Sequence, residues 1–585
     1  MQPTATTEGS KPRRHGKLTL AESAPPLEAW DLGELSHPRR AKWDIVKQNA
    51  SRTVYHGAIG GLEVYVKHYH SRSWLHRLVR RLGGGEARHE LNTLVYLRSQ
   101  GVATAPPLAA GSGDGAEWLA TRAVAPSQRA DLWHQHQLSA GPAGRRRIRQ
   151  ATVALGRMIG KMHAAGVSHR DLHCGNILVR TDGSEPQLVL MDLHRTSRRR
   201  RLSRRTRAAN LAQLFHDRGD FTTETDRLRF LKAYLSASGA GGGIRAWQEL
   251  VERLASRHTR RLNAQRDRRV LGLGRYFAPI RLPHGWRGHV VLASKRHAAG
   301  SRAAEMAFDP AEWRLALRDP GALLTAPGAE VVKDSPSSLI VRRSLRIGAN
   351  RVEVFIKRAR RKRRWKALLD CFRRARSIRA FELGHALLTR RIATALPLAA
   401  LERRWGPFLL DSILITEAVD APRLKGFMET HLSNPPKCSP HLTAEQQRHL
   451  AREVLWQLGR MLQRLYDHNF AHRDLKGANI LVRWQAAEPP EVVLVDLDGL
   501  VRRRFLTARQ RFQGLMRLNV SLLDCPVVNR AGRLRMLLGY LRRPGGVPIN
   551  FKPYWHTLED WSWRKRRRQI RSRRMRQKAA RRPSP

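Results

Sequence analysis

One polar string inside an apolar frame constrains this chain more than any other feature, because it occurs twice. His169-Arg170-Asp171-Leu172-His173-Cys174-Gly175-Asn176-Ile177-Leu178-Val179 returns as His472-Arg473-Asp474-Leu475-Lys476-Gly477-Ala478-Asn479-Ile480-Leu481-Val482. Other elements repeat in the same order. Val64-Tyr65-Val66-Lys67 matches Val354-Phe355-Ile356-Lys357, and a helical stretch around Glu90 is matched with one around Glu382. Leu188-Val189-Leu190-Met191-Asp192-Leu193 returns as Val493-Leu494-Val495-Asp496-Leu497, and the stretch 226–235 is echoed by 532–541. A chain written twice must fold as two copies of one domain.

Each copy reads as α+β. Alternating apolar residues predict strands over Asp44 to Gln48, Arg52 to Tyr55 and Leu62 to Tyr69, broken at Gly60-Gly61. The second copy offers Ser338 to Arg343 and Arg351 to Lys357 around Gly348-Ala349-Asn350. Helices follow at Ile148 to Ala165 and Ala451 to His468. A hairpin then sets Ile177 to Val179 against Leu188 to Met191, and Ile480 to Val482 against Val492 to Val495. The predicted fold is two tandem protein-kinase-like domains, each with a small antiparallel β N-lobe and a mainly helical C-lobe. The boundaries follow: a basic flexible segment 1–42, domains 43–270 and 328–560, a linker or partly packed extension 271–327, and an Arg-rich tail 561–585. Residues 1–42 and 565–585 are expected to be mobile, and Trp561 and Trp563 could be interfacial anchors.

The polar residues have chemical reasons for their order. A strand lysine reaches nucleotide phosphates only if a carboxylate on a facing helix fixes its flexible stem, the roles predicted for Lys67 with Glu90 and Lys357 with Glu382. Asp171 and Asp474 stand where a carboxylate orients an acceptor hydroxyl and takes its proton. Asn176 with Asp192, and Asn479 with Asp496, supply the hard oxygen ligands that Mg²⁺ prefers. ATP and Mg²⁺ are therefore the expected cofactors. Degenerate copies lose the lysine, the base or the metal aspartate, and neither copy has lost any. Both lack a glycine-rich phosphate loop: 49–52 and 334–338 occupy its place.

At this point both halves resemble the lipopolysaccharide kinase (Kdo/WaaP) family, enzymes that phosphorylate heptose or Kdo of the inner core. The telling string is Met191-Asp192-Leu193-His194-Arg195, supported by 210–214 and 225–234. The second half carries Lys476 where the first has His173, and there it is similar to serine/threonine protein kinases, whose lysine at that place contacts the γ-phosphate. The resemblance implies ATP-dependent transfer to a sugar hydroxyl of lipopolysaccharide or a related glycolipid. The alternatives are an atypical serine/threonine protein kinase, or an inert kinase fold that binds polyanions or a membrane surface.

Charge agrees with an anionic partner. The chain has 109 Lys and Arg against 48 Asp and Glu, a net charge of +61, which calls for a polyanion. Arginines cluster at 198–201 with 204–205, at 358 with 360–364, where Lys362 interrupts the run, and in the tail at 564–568 with 571, 573 and 574, where Lys565 does. Bidentate phosphate binding suits them. An anionic glycolipid at a membrane surface is the expected acceptor. Nucleic acid is not expected, since no base-reading module is present. Four cysteines, Cys174, Cys371, Cys438 and Cys525, are too few and scattered for a disulfide scaffold. No apolar run reaches the roughly 18 residues of a membrane span. A cytoplasmic protein, or one peripheral on the inner face of the cytoplasmic membrane, is expected.

Overall fold

The computed structural model describes residues 13–15, 18–22, 24–26, 30–31, 34–35, 43–49, 51–70, 85–113, 116–183, 185–216, 222–293, 306–360, 373–432, 442–485, 489–542 and 549–580. The chain forms two compact units, Met1–Arg260 and Arg261–Pro585. The division falls inside the helix Ile244–Arg269.

Each unit opens on a seven-stranded antiparallel sheet, and the strand order is the same in both. In the first unit it runs Arg13–His15, Leu18–Leu20, Pro107–Gly113, Ala116–Arg122, Leu62–Tyr69, Arg52–Ile59, Asp44–Gln48. In the second it runs Phe277–Arg281, Trp286–Val291, Pro397–Trp405, Phe408–Glu417, Asn350–Ala359, Ser338–Ile347, Glu330–Ser335. The lysine strands are interior, fifth of the seven in each sheet. Val64 and Val66, like Val354 and Ile356, turn into the core, so period-two alternation sends Lys67 and Lys357 to the opposite face.

Both sheets extend upstream of the limits 43 and 328 drawn from sequence. Leu18–Leu20 pairs with Pro107–Gly113, and Trp286–Val291 pairs with Pro397–Trp405. Leu18, Trp30 and Leu35 are buried, and Trp30 stacks on Trp118 at 6.4 Å. These short strands cover what would otherwise be open sheet edges. The tail also differs from expectation, because one helix runs from Lys552 to Ala580. Trp555, Leu558 and Ser562 anchor it in the second unit, where Asn519 donates to Ser562 Oγ at 2.9 Å.

Below each sheet lie helices that meet at glycine. Gly156 and Gly160 of the helix Gly141–Ala164 face the backbone of Glu224–Ser238, where an added Cβ would sit 2.6 Å from Phe230 O and 2.8 Å from Tyr234 O. Gly459 and Gly539 make the corresponding approach between Ala444–Asp467 and Arg530–Leu541. The two helices of each pair pack backbone to backbone. Capping boxes at Thr223 with Asp226, Thr443 with Gln446 and Thr507 with Gln510 set three helix starts. Among the described residues no helix is long and apolar enough to cross a membrane. Cys525 is a buried free thiol and Cys174 is half-buried, while Cys371 and Cys438 lie outside the described residues.

Candidate active site

The repeated string is held by its own secondary structure. Val167–His169 pairs with Thr196–Arg198, and Phe470–His472 with Leu500–Arg502. The hairpins Ile177–Arg180 with Gln187–Leu190 and Ile480–Arg483 with Glu491–Leu494 close as the alternation predicts. Asn176 gives its amide N–H to Asp171 O at 3.0 Å, and Asn479 gives its own to Asp474 O at 2.8 Å, which turns each amide oxygen the other way. Asp192 and Asp496 both adopt left-handed backbone, φ 59° and 63°. That conformation is uncommon for a side chain with a Cβ, and it turns the carboxylate out of the strand direction.

In the first unit the predicted charges converge. Lys67 Nζ donates to Glu90 Oε1 at 2.6 Å and to Asp192 Oδ1 at 3.2 Å. Glu90 is buried, and it also accepts from Leu193 N at 2.8 Å and from the Tyr69 hydroxyl. Burial opposes the charge on Lys67, but Glu90 and Asp192 overcome it and raise its pKa. Burial, then Glu90, pushes the Tyr69 phenol well up, so it stays a neutral donor. Burial also opposes ionisation of Asp192, yet Lys67, His194 and Arg52 hold it far below the usual carboxylate range. Arg52 does so with a two-pronged contact, Nη1 to Oδ1 and Nη2 to Oδ2, both at 2.6 Å. Asp171 lies in the loop that also carries Asn176, its side chain about half exposed and His173 Nε2 3.9 Å away.

The catalytic loop has a buried support. His163 lies 2.9 Å from the Tyr234 hydroxyl and 3.3 Å from Asn210 Oδ1, and Asn210 Oδ1 accepts from His169 N at 2.8 Å. Burial lowers His163 to about 4, which keeps the imidazole neutral. In the second unit Tyr466 and Gly514 stand in place of His163 and Asn210. The Tyr466 hydroxyl fills the volume that a side chain at 514 would need.

The second unit departs from expectation at one pair. Lys357 Nζ meets Asp496 Oδ1 at 2.7 Å and Asp498 Oδ2 at 2.8 Å, whereas Glu382 is paired with Arg374 at 2.9 Å. The structure therefore does not bring Glu382 to Lys357. Register explains why. The helices Glu86–Ser99 and Arg376–Thr389 are each 14 residues long and lead to equivalent bridges, Thr104 to Leu190 and Thr394 to Leu494. Glu90 is the fifth residue of its helix, and the fifth of the other is Ala380. Glu382 is two residues on, roughly 200° further around the helix. Asp498, where the first unit has His194, supplies the second carboxylate. Burial opposes the charge on Lys357, and Asp498 and Asp496 raise its pKa in spite of it. Lys476 reaches Asp474 Oδ2 at 2.6 Å.

Among residues that carried no sequence signal, Arg52 and Asp498 matter most. Arg358 and Arg360 are engaged with Asp411 and Asp334, and residues 361–364 lie outside the described ones. Arg198 to Arg201, Arg204 and Arg205 are exposed. In the C-terminal helix Trp561 packs on Phe512, while Trp563 is exposed.

Residues 39–234 and 331–540 each match the lipopolysaccharide kinase (Kdo/WaaP) family. The chain belongs to that family. It is similar to the lipopolysaccharide core heptose(I) kinase WaaP of Pseudomonas aeruginosa, 32% identical over 191 residues that make up 30% of this chain and 70% of that protein. The Escherichia coli lipopolysaccharide core heptose(I) kinase WaaP is 36% identical over 85 residues, 14% of this chain and 32% of that protein. Among solved structures, WaaP in complex with acyl carrier protein has 26% identity and a TM-score of 0.32, over 41% of this chain and 98% of that one. An aminoglycoside-3'-phosphotransferase of type VIII has 18% identity and a TM-score of 0.25, over 36% and 93%. This family member is a phosphotransferase acting on a sugar hydroxyl, with a kinase-like domain in each unit.

Proposed function

We propose that the chain is an ATP- and Mg²⁺-dependent kinase that transfers the γ-phosphate to a heptose or Kdo hydroxyl of the lipopolysaccharide inner core. The observation that carries this reading is the meeting of Lys67, Glu90 and Asp192, beside Asp171 and Asn176, with a second lysine–carboxylate cluster in the other unit. Lys67 and Lys357 bind the nucleotide phosphates, positioned by Glu90 and by Asp498. Asp171 and Asp474 accept the proton of the acceptor hydroxyl as its oxygen bonds to phosphorus and the bridging oxygen leaves with ADP.

The donor set suits a hard cation: an amide oxygen, Asn176 or Asn479, and a carboxylate, Asp192 or Asp496, with no sulfur. When bound, Mg²⁺ would neutralise phosphate charge. The residues' own contribution is to hold these oxygens by strand pairing and to keep each lysine charged.

The acceptor side of the second unit carries two lysines. Lys476 is on Asp474, and Lys565 of the C-terminal helix feels both Arg517 and Asp474, with burial the main cause of its lowered pKa. Lys476 in place of His173 favours different acceptor hydroxyls of the core glycolipid for the two units. Such an acceptor is lipid-anchored, so the protein works at the cytoplasmic membrane surface. The test is transfer of labelled γ-phosphate to dephosphorylated core glycolipid. Wild type should label it, and the double variant Asp171→Ala/Asp474→Ala should not. Labelling of protein serine or threonine with none on glycan would replace this reading with a protein kinase.

A further inference from the structure

The sheet has no glycine-rich loop to lay over nucleotide phosphates, and the geometry points to a substitute in the first unit. We propose that Arg52 is a phosphate-binding residue whose guanidinium, held on Asp192, competes with a metal ion for that carboxylate until phosphates draw it away. This deepens the kinase reading and rests on it.

Arg52 begins the strand Arg52–Ile59, directly after the turn that stands where a phosphate loop would. The turn is built rather than loose. Asn49 Oδ1 accepts from Ser51 N at 2.9 Å, Ser51 Oγ at 2.8 Å and Arg52 N at 2.9 Å. From there the guanidinium takes both oxygens of Asp192, while Lys67 and His194 Nδ1 crowd Oδ1 at 3.2 and 2.8 Å. Oδ1 is thus crowded by three nitrogens and Oδ2 lies against the guanidinium, so a cation approaching Asp192 must compete with Arg52 for it. A planar fork that fits a carboxylate also fits a phosphate, so arriving phosphates can take the guanidinium and free Asp192.

The second unit is a built-in contrast. Arg52 pairs across the sheet with Tyr69, and Ser338 holds the equivalent place opposite Ala359. Serine is too short to reach the metal aspartate from there. Asp496 is correspondingly more open, its side chain 38% exposed against 13% for Asp192.

The test uses the full chain carrying Asp496→Asn, which removes the second metal ligand. Mn²⁺ binding is followed by electron paramagnetic resonance with and without a non-hydrolysable ATP analogue, whose own affinity is measured separately. Arg52→Ser should tighten nucleotide-free Mn²⁺ binding about tenfold or more and weaken the analogue about ten- to hundredfold. Arg52→Lys keeps the charge without the fork and should fall between. If Arg52→Ser leaves either affinity unchanged while the Asp496→Asn parent binds the analogue, Arg52 is a structural tether and the proposal is wrong. A parent that binds no analogue at all overturns the kinase reading of this unit as well.

Discussion

Replacing Asp498 by Asn should impair the second unit, and replacing Glu382 by Gln should leave it intact. Lys357 Nζ lies 2.8 Å from Asp498 Oδ2, with both side chains mostly shielded from water. At that distance and an effective dielectric near 20 the gross attraction is about 6 kcal/mol. Desolvation and the remaining contact to Asp496 reduce the net loss to about 1.5–3 kcal/mol, the range of a charge-assisted hydrogen bond. In an Asp171→Ala background, which silences the first unit, Asp498→Asn should lower kcat/KM for ATP about ten- to hundredfold. Glu382 contacts Arg374 instead, on a partly exposed face, so Glu382→Gln should stay within about twofold. Adding Ala380→Glu to Asp498→Asn restores a carboxylate at the place Glu90 occupies in the first unit, and should recover part of the loss. The assay is steady-state transfer to core glycolipid at varied ATP. Equal damage from Glu382→Gln and Asp498→Asn, or none from either, would refute the assignment.

Two further outcomes follow from the buried support beneath the catalytic loop. His163 is neutral when folded, with a pKa of about 4, whereas the unfolded chain protonates it below about 6.5, so stability holds above that value and falls as pH drops toward 4. Hydrogen exchange in the helix Gly141–Ala164 should report a loss of about 2 kcal/mol between pH 7 and 5, and unchanged protection would contradict this. In the second unit, Gly514→Ala pushes a methyl into the Tyr466 hydroxyl and should cost about 1–3 kcal/mol in urea unfolding. Tyr466→Phe added to it should return part of that, and no recovery would show that the hydroxyl is not the obstacle.

The parts legible in the sequence were those where chemistry prescribes both residue type and order. Lys67, Asp171, Asn176 and Asp192 each sit at a set place along a strand or loop, so the string and its flanking alternation located them. Glu382 misled because any carboxylate near the middle of the right helix satisfies a motif, while only one in register can point at the lysine; the Thr104 and Thr394 bridges supply that register. Arg52 was illegible for a different reason. One arginine among 109 basic residues carries no signal until folding brings it to a carboxylate 140 positions away. The strands Arg13–His15 and Leu18–Leu20 are three residues each, too short for alternation to show, and Leu18 is buried only because its strand joins the sheet.

The central claim is that each unit assembles its own nucleotide site, and calorimetric stoichiometry tests it most directly. A non-hydrolysable ATP analogue with Mg²⁺ should bind at two per wild-type chain, at one in Lys67→Ala, at one in Lys357→Ala and at none in the double variant. A wild-type chain that binds only one, or binding that persists in the double variant, would contradict it.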